Sequence, residues 1–149
     1  MPGARKRVVV KRVYEKAARS DGTRVLVDRL WPRGLSKARA SVDAWLRDVA
    51  PSDLLRHWFH AHPEERPGFR KRYLKELSQP EAAEALETLY RFRHHKRPLT
   101  LLFASKNEEY NNAVVLRDLL NGMRKPPTGT GPTGARAAHH RQARRTPRK

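Results

Sequence analysis

Two short stretches hold the residues best suited to chemistry. Asp28-Arg29, with Arg33 close behind, follows the apolar run Val25-Leu26-Val27. Ser105-Lys106-Asn107, with Asn111 a turn further on, follows the run Leu99-Thr100-Leu101-Leu102-Phe103-Ala104. Open α/β sheets collect ligands at the C-terminal ends of their strands. Were these two strands neighbours, Arg29, Arg33 and Lys106 would surround one anion. Arginine offers a planar fork of donors that matches phosphate or carboxylate, and lysine adds a point charge. A helix opening at Asn107 would turn its free N–H groups and positive dipole end toward the same place. Asp28 would orient Arg29 or serve as a base. Ser105, Lys106, Asn107 and Asn111 complete the candidate ligand-binding set. The bland reading is that Asp28 and Arg29 form structural ion pairs and Arg33-Gly34 only shapes a turn.

Other constellations carry less. His57, His60 and His62 form a His-x-x-His-x-His cluster, but no standard metal motif uses that spacing alone, and no metal site is assigned. His94-His95 and His139-His140 read as surface pairs. Glycine-rich nucleotide loops, the H-E-x-x-H zinc motif and the G-x-S-x-G nucleophile elbow are all missing. Ser36, Ser52 and Ser105 have no nucleophile context, and Ser52 reads as a helix cap. No motif names a cofactor. Trp31, Trp45 and Trp58 read as core or pocket wall.

The elements that must hold these residues follow from hydrophobic patterning. Val8-Val9-Val10, with Val13 and Tyr14, read as a strand, and Ser20-Asp21-Gly22 as a turn. The unbroken runs at 25–27 and 99–104 suit strands covered on both faces, as in a parallel sheet between helices. Trp31-Pro32-Arg33-Gly34 stops the first of them. Val42, Trp45, Leu46 and Val49 fall at helical spacing and predict a helix closed by Pro51. Ser52 caps a helix bearing Leu54, Leu55, Trp58 and Phe59. Phe69, Tyr73 and Leu77 mark another, beginning near Pro67. Ser78 caps the next, with Pro80 in its first turn and Leu86, Leu89 and Tyr90 on its buried side, ending before Arg97-Pro98. Asn107 caps the last, with Glu108 and Glu109 in its first turn and Asn121-Gly122 at its stop. The expectation is one α/β domain at residues 1–122, with a small, mostly parallel sheet flanked by about five helices.

The chain has 149 residues, no cysteine and a formal charge of +18. That rules out disulfides, thiolate nucleophiles and cysteine-bound zinc. No apolar run is long enough to span a bilayer, and no signal-peptide core follows the basic start, so a cytoplasmic location and no membrane partner are expected. Residues 1–122 carry 25 of the 33 Lys/Arg and all 15 Asp/Glu, a net +10. Residues 123–149 hold the other eight cations and no acid, two of them before and six after a Pro/Gly/Thr-rich stretch at 126–134. Such a segment buries too little to order itself and reads as a disordered basic tail. It could contact nucleic-acid phosphates weakly and without sequence preference. It has no aromatic ring on which bases would stack.

Three segments carry a resemblance. They are the run from Asp21 to Lys37, with Val25-Leu26-Val27-Asp28-Arg29-Leu30-Trp31-Pro32-Arg33-Gly34 at its centre, then Trp45-Leu46 with Ala50-Pro51-Ser52 and Trp58-Phe59, and then Leu101 to Glu109 with Ala113-Val114-Val115-Leu116. In order and spacing they resemble the YeaO-like group of the domain-of-unknown-function family 488, over roughly residues 7–120. The resemblance implies no particular reaction. The chain also departs from the group's pattern. Ala61, Tyr110 and Asn112 stand where histidines are expected, and Asn107 where an aspartate is.

Three functional expectations follow. The first is a protein that binds or acts on a small anionic ligand at Asp28, Arg29, Arg33 and Lys106. The second is a basic protein associated with nucleic acid through phosphate contacts. The third is a non-catalytic interaction protein that has lost the group's histidines. Whether the chain is an enzyme is left open.

Overall fold

In a computed structural model, which describes residues 7–124, four parallel strands form one sheet in the order β1-β4-β2-β3. They are β1 (Val8–Arg12), β2 (Thr23–Leu26), β3 (Ala44–Trp45) and β4 (Leu99–Phe103). β4 lies at the centre, pairing Leu99 with both Val8 and Thr23 and continuing in register along both neighbours. Every residue of β2 and β4 is buried. A strand covered on both faces has no wet side to mark, so the apolar residues 25–27 and 101–103 show no alternation, and the polar residues of these strands, Thr23, Arg24 and Thr100, are themselves buried.

The two faces differ in how they are covered. Val25 and Val27 of the β2 stretch, with Leu99, Leu101 and Phe103 of β4, enter the larger core. Against them pack α2 (Asp53–Ala61), α3 (Arg66–Leu77), α4 (Pro80–Arg93) and α5 (Asn112–Gly122) through Leu55, Tyr73, Leu89 and Leu116, among others. Leu26 and Leu102, one step out of phase, face the other way. There they meet Ala40 of the one-turn helix α1 (Lys37–Ala40), with Trp31, Leu35, Val42 and Trp45 around it. Five helices and an all-parallel sheet match the expected class.

The predicted helix over Val42–Val49 does not form. Ser41 stands at φ 51, in the left-handed region, and ends α1. The Asp43 N–H then donates to the Arg24 carbonyl, and the Arg24 N–H to the Asp43 carboxylate, which locks the segment onto the edge of β2. Ala44 and Trp45 pair with Val25 and Leu26 as β3. The apolar spacing that suggests a helix has a different origin. Trp45 packs on the smaller core while Leu46 and Val49 pack on the larger, so the chain is alternating sides of the sheet. Tertiary pairing overrides local period here.

Two helix starts also move. Ser78 closes α3, its hydroxyl donating to the Lys75 carbonyl, and Gln79 is the residue before α4, with Pro80 in the first turn. α5 begins at Asn112 and not at Asn107, and its cap is Asn111, whose side-chain oxygen accepts from the Val114 N–H at 3.1 Å. Ser52 caps α2 as expected, accepting from the Leu55 N–H. At the outer edge of the sheet, the Asn121 side-chain amide bonds both the N–H and the carbonyl of Val8, at 3.0 and 3.3 Å, which satisfies the start of β1. Of the basic tail, residues 125–149 lie outside the described residues, as do residues 1–6 and the His139-His140 pair.

Candidate functional site

Because β2 and β4 are adjacent and parallel, their C-terminal ends lie side by side. A cleft of about 750 Å³ opens there. Asp28, Arg29 and Arg33 line it from the end of β2, and Ser105, Lys106, Asn107 and Asn111 from the loop between β4 and α5. All seven residues named from the sequence therefore meet in one place. Their chemistry within it differs from residue to residue.

Asp28 is a cross-link. One carboxylate oxygen accepts from the Ala104 N–H at 2.8 Å, and the other from the Asn112 amide at 3.2 Å. The Asn112 amide also donates to the Val27 carbonyl at 2.9 Å. The acid thus ties together the ends of β2 and β4 and the first residue of α5. Burial pushes its carboxyl above the ordinary 3.8, against the lowering pull of the Ala104 and Asn112 hydrogen bonds and of the Arg56 charge. It does not orient Arg29. That guanidinium instead donates to the Ala50 and Pro51 carbonyls, at 3.0 and 3.3 Å, and pins the segment leading into α2.

The raised value sets a sign for stability against pH. In the window just above 3.8 the folded chain holds the Asp28 proton and the unfolded chain does not. Stability drawn from this group is therefore lost as pH rises through the folded-state value. Asp28→Asn is expected to flatten that fall. It also sets two amide NH₂ groups against each other at Asn112, or leaves the Ala104 N–H unpaired, so its stability at low pH drops below that of the parent. Denaturant melts of both chains across acidic to neutral pH check this, and parallel curves would refute it.

The loop after β4 is cross-linked by its own polar groups. The Ser105 hydroxyl accepts from the Asn107 N–H, and the Asn107 side-chain oxygen accepts from the N–H groups of Glu109 and Tyr110. The Asn111 amide donates back to the Asn107 carbonyl at 2.8 Å. Ser105, Asn107 and Asn111 thus spend much of their hydrogen-bonding capacity on shape. Lys106 and Arg33, both exposed, make no side-chain hydrogen bond or ion pair among the described residues, and Arg56 of α2 faces the same cleft.

Sequence reasoning missed part of the lining. Arg56, Phe59 and His60 come from α2, and Tyr14 follows β1. Nothing in the sequence says that α2 passes the ends of β2 and β4. Tyr110 stands edge-on to Phe59 and Phe69, with ring centroids 6.0 and 6.2 Å away. On the other side the Tyr14 hydroxyl donates to the Arg33 carbonyl and the Trp31 indole N–H to the Leu35 carbonyl, which fixes the 31–35 turn. Trp58 lies elsewhere, between the Arg72 guanidinium and the His62 ring. Of the histidine cluster only His60 borders the cleft, and no group of three or more His, Cys, Asp or Glu among the described residues could hold a metal ion.

The architecture defines an open, all-parallel α/β protein with an aromatic-walled cleft at its strand ends. The chain belongs to the family described as the inactive DUF488-N3 subclade, whose family model matches residues 7–131. It is 44% identical to the uncharacterised protein YeaO of Escherichia coli over 114 residues, covering 76% of this chain and 96% of that one. It is 42% identical to an uncharacterised protein of Mycobacterium bovis and to one of Mycobacterium tuberculosis, each over 116 residues, 78% of this chain and 95% of theirs. No solved structure matches it. No helix among the described residues is long and apolar enough to cross a membrane.

Proposed function

We propose that this chain binds a small anionic molecule in the strand-end cleft and holds it without catalysing a reaction on it. The observation that carries this reading is the division of charge in the cleft. Two of its four cations, Arg33 and Lys106, are exposed and uncommitted among the described residues, while Arg29 and Arg56 have partners. Its one lining acid, Asp28, is half-buried and bonded on both oxygens. Positive groups gathered round a concave site concentrate anions, and low-dielectric walls strengthen the effect. Arg29, committed to two carbonyls, helps by field more than by contact.

The absence of chemistry rests on position 112. A histidine there, as the resemblance to the YeaO-like group implies for that position, would stand against the Asp28 carboxylate as an acid–base pair. Asn112 keeps a hydrogen bond to Asp28 and cannot titrate. The family description, inactive, agrees. Asp28 then tunes and shapes the cleft instead of serving as a base.

A thermal-shift panel on the full chain tests this reading, using inorganic phosphate, pyrophosphate, citrate and the nucleoside 5′-monophosphates at moderate salt. At least one anion is expected to raise the melting temperature, since a ligand that binds only the folded state stabilises it. The double variant Arg33→Ala/Lys106→Ala is expected to melt like the parent without ligand and to lose affinity roughly tenfold per cation removed. A panel without effect, or shifts unchanged in the double variant, would overturn the proposal.

A further inference from the structure

We infer that the anion is a mononucleotide, its base among the aromatic walls of the cleft and its phosphate at the Arg33–Lys106 mouth. The inference rests on the anion-binding reading above and names the class of ligand.

Size is the first ground. A cleft of about 750 Å³ is far larger than a bare inorganic anion needs. It falls within the range of clefts that hold organic ligands and cofactors, roughly 300–1,000 Å³. A phosphate alone would occupy the mouth and leave the interior to water.

The nature of the interior is the second. Five Phe, Tyr and Trp rings line it from five separate parts of the fold: Tyr14 after β1, Trp31 after β2, Phe59 on α2, Phe69 on α3 and Tyr110 in the loop after β4. Each is held in place. Tyr14 and Trp31 are fixed by their bonds to the Arg33 and Leu35 carbonyls. Phe59 stacks on Phe69 with ring centroids 4.2 Å apart, and Tyr110 closes edge-on to both. Rigid aromatic walls suit a planar heterocycle, because every base offers a π face. An aliphatic anion such as citrate gains nothing from them.

The third ground is the separation of the two kinds of group. Exposed cations stand at the mouth, and polar groups deeper in are few and fixed by Asp28, Asn111 and Asn112. A ligand charged at one end and planar at the other satisfies both regions at once. The concave shape favours a free nucleotide over a base within a polymer.

Calorimetric titration of the full chain decides the matter. The titrants are AMP, GMP, CMP and UMP, the four parent nucleosides, inorganic phosphate, pyrophosphate and a twelve-residue oligothymidylate. At least one monophosphate is expected to bind roughly tenfold or more tightly than inorganic phosphate, the size of gain that stacking one base supplies, and roughly tenfold or more tightly than its nucleoside, from the charge-assisted contacts to the phosphate. In saturation-transfer NMR its base protons should receive magnetisation from the protein. Phe59→Leu, close in volume, should weaken that nucleotide and leave pyrophosphate unchanged. Three results would overturn the inference. Pyrophosphate binding as tightly as every nucleotide would leave an anion cleft without base recognition, and the anion-binding reading would survive. Oligothymidylate binding more tightly than every mononucleotide would assign the cations to a polymer. No binding by any titrant would remove both readings.

Discussion

Gly22→Ala is expected to cost about 4 kcal/mol or more, a large share of the 5–15 kcal/mol that holds an ordinary domain together. Gly22 sits at φ 67, where a Cβ is strained in its own right. The decisive factor is the neighbour. A Cβ there would stand 2.3 Å from the Pro98 carbonyl oxygen, with the Pro98 ring at 2.8 Å. Neither can swing aside. The Pro98 carbonyl accepts the Thr23 N–H at 2.8 Å, which sets the register where β2 meets β4, and the Gly22 carbonyl accepts from Arg97. Any relief shifts the start of two buried strands. Gly34→Ala is the control. It has a similar φ of 75 but open space around its Cβ, so it should lose only the backbone strain, about 1–2 kcal/mol. Chemical denaturation of both variants checks the contrast, and equal losses would show that the strain alone matters.

Asp21→Ala should be the second most damaging change. Asp21 and Arg24 are 7% and 4% exposed and form an ion pair, to which Lys11 adds a contact of 3.1 Å. Arg24 also donates to the Ala40 and Ser41 carbonyls, so it joins β2 to the end of α1. Removing the aspartate leaves a buried guanidinium without its counter-charge, a loss of about 3–5 kcal/mol in such pairs. Arg24→Met should cost less, since it removes a buried charge and leaves Asp21 with Lys11 and the Ala18 N–H. Acid reveals the same group. Burial pushes the Asp21 carboxyl up, but bonds from Ala18, Lys11 and Arg24 together hold it below 3.8. The stability it contributes is therefore present above 3.8 and lost as pH falls through the lowered value. Asp21 and Asp28 thus oppose each other in acid, and Asp21→Ala should flatten the acid limb that Asp28→Asn leaves intact.

Much of this was legible in the sequence, for definite reasons. Val25–Val27 and Leu99–Ala104 reveal strands covered twice, because burial on both faces leaves few polar residues on either, Thr100 being one whose hydroxyl is bonded to the Asp21 carbonyl. Once two such strands are parallel neighbours, the residues that follow them must share a corner. That is why Asp28, Arg29, Arg33 and the 105–111 loop come together in one cleft. Direction of side chains is another matter. Whether Arg29 reaches an anion or the Ala50 carbonyl depends on where the approach to α2 passes, and no local pattern encodes that. β3 is two residues long and is held by Asp43 and Arg24, too brief for alternation to show. The start of α5 was missed because Asn107 and Asn111 are both good caps. The loop uses the first for a turn and the second for the helix.

The proposed binding of an anion in the cleft is open to direct mapping. Backbone amide shifts of the full chain, recorded by NMR while each anion of the thermal-shift panel, AMP and the other monophosphates included, is added in turn at moderate salt, would locate the contact without a variant. Anion binding in the cleft predicts saturable changes centred on residues 28–33 and 104–112, lost in Arg33→Ala/Lys106→Ala. Changes confined to residues 123–149 and vanishing with salt, or no saturable change at all, would contradict it.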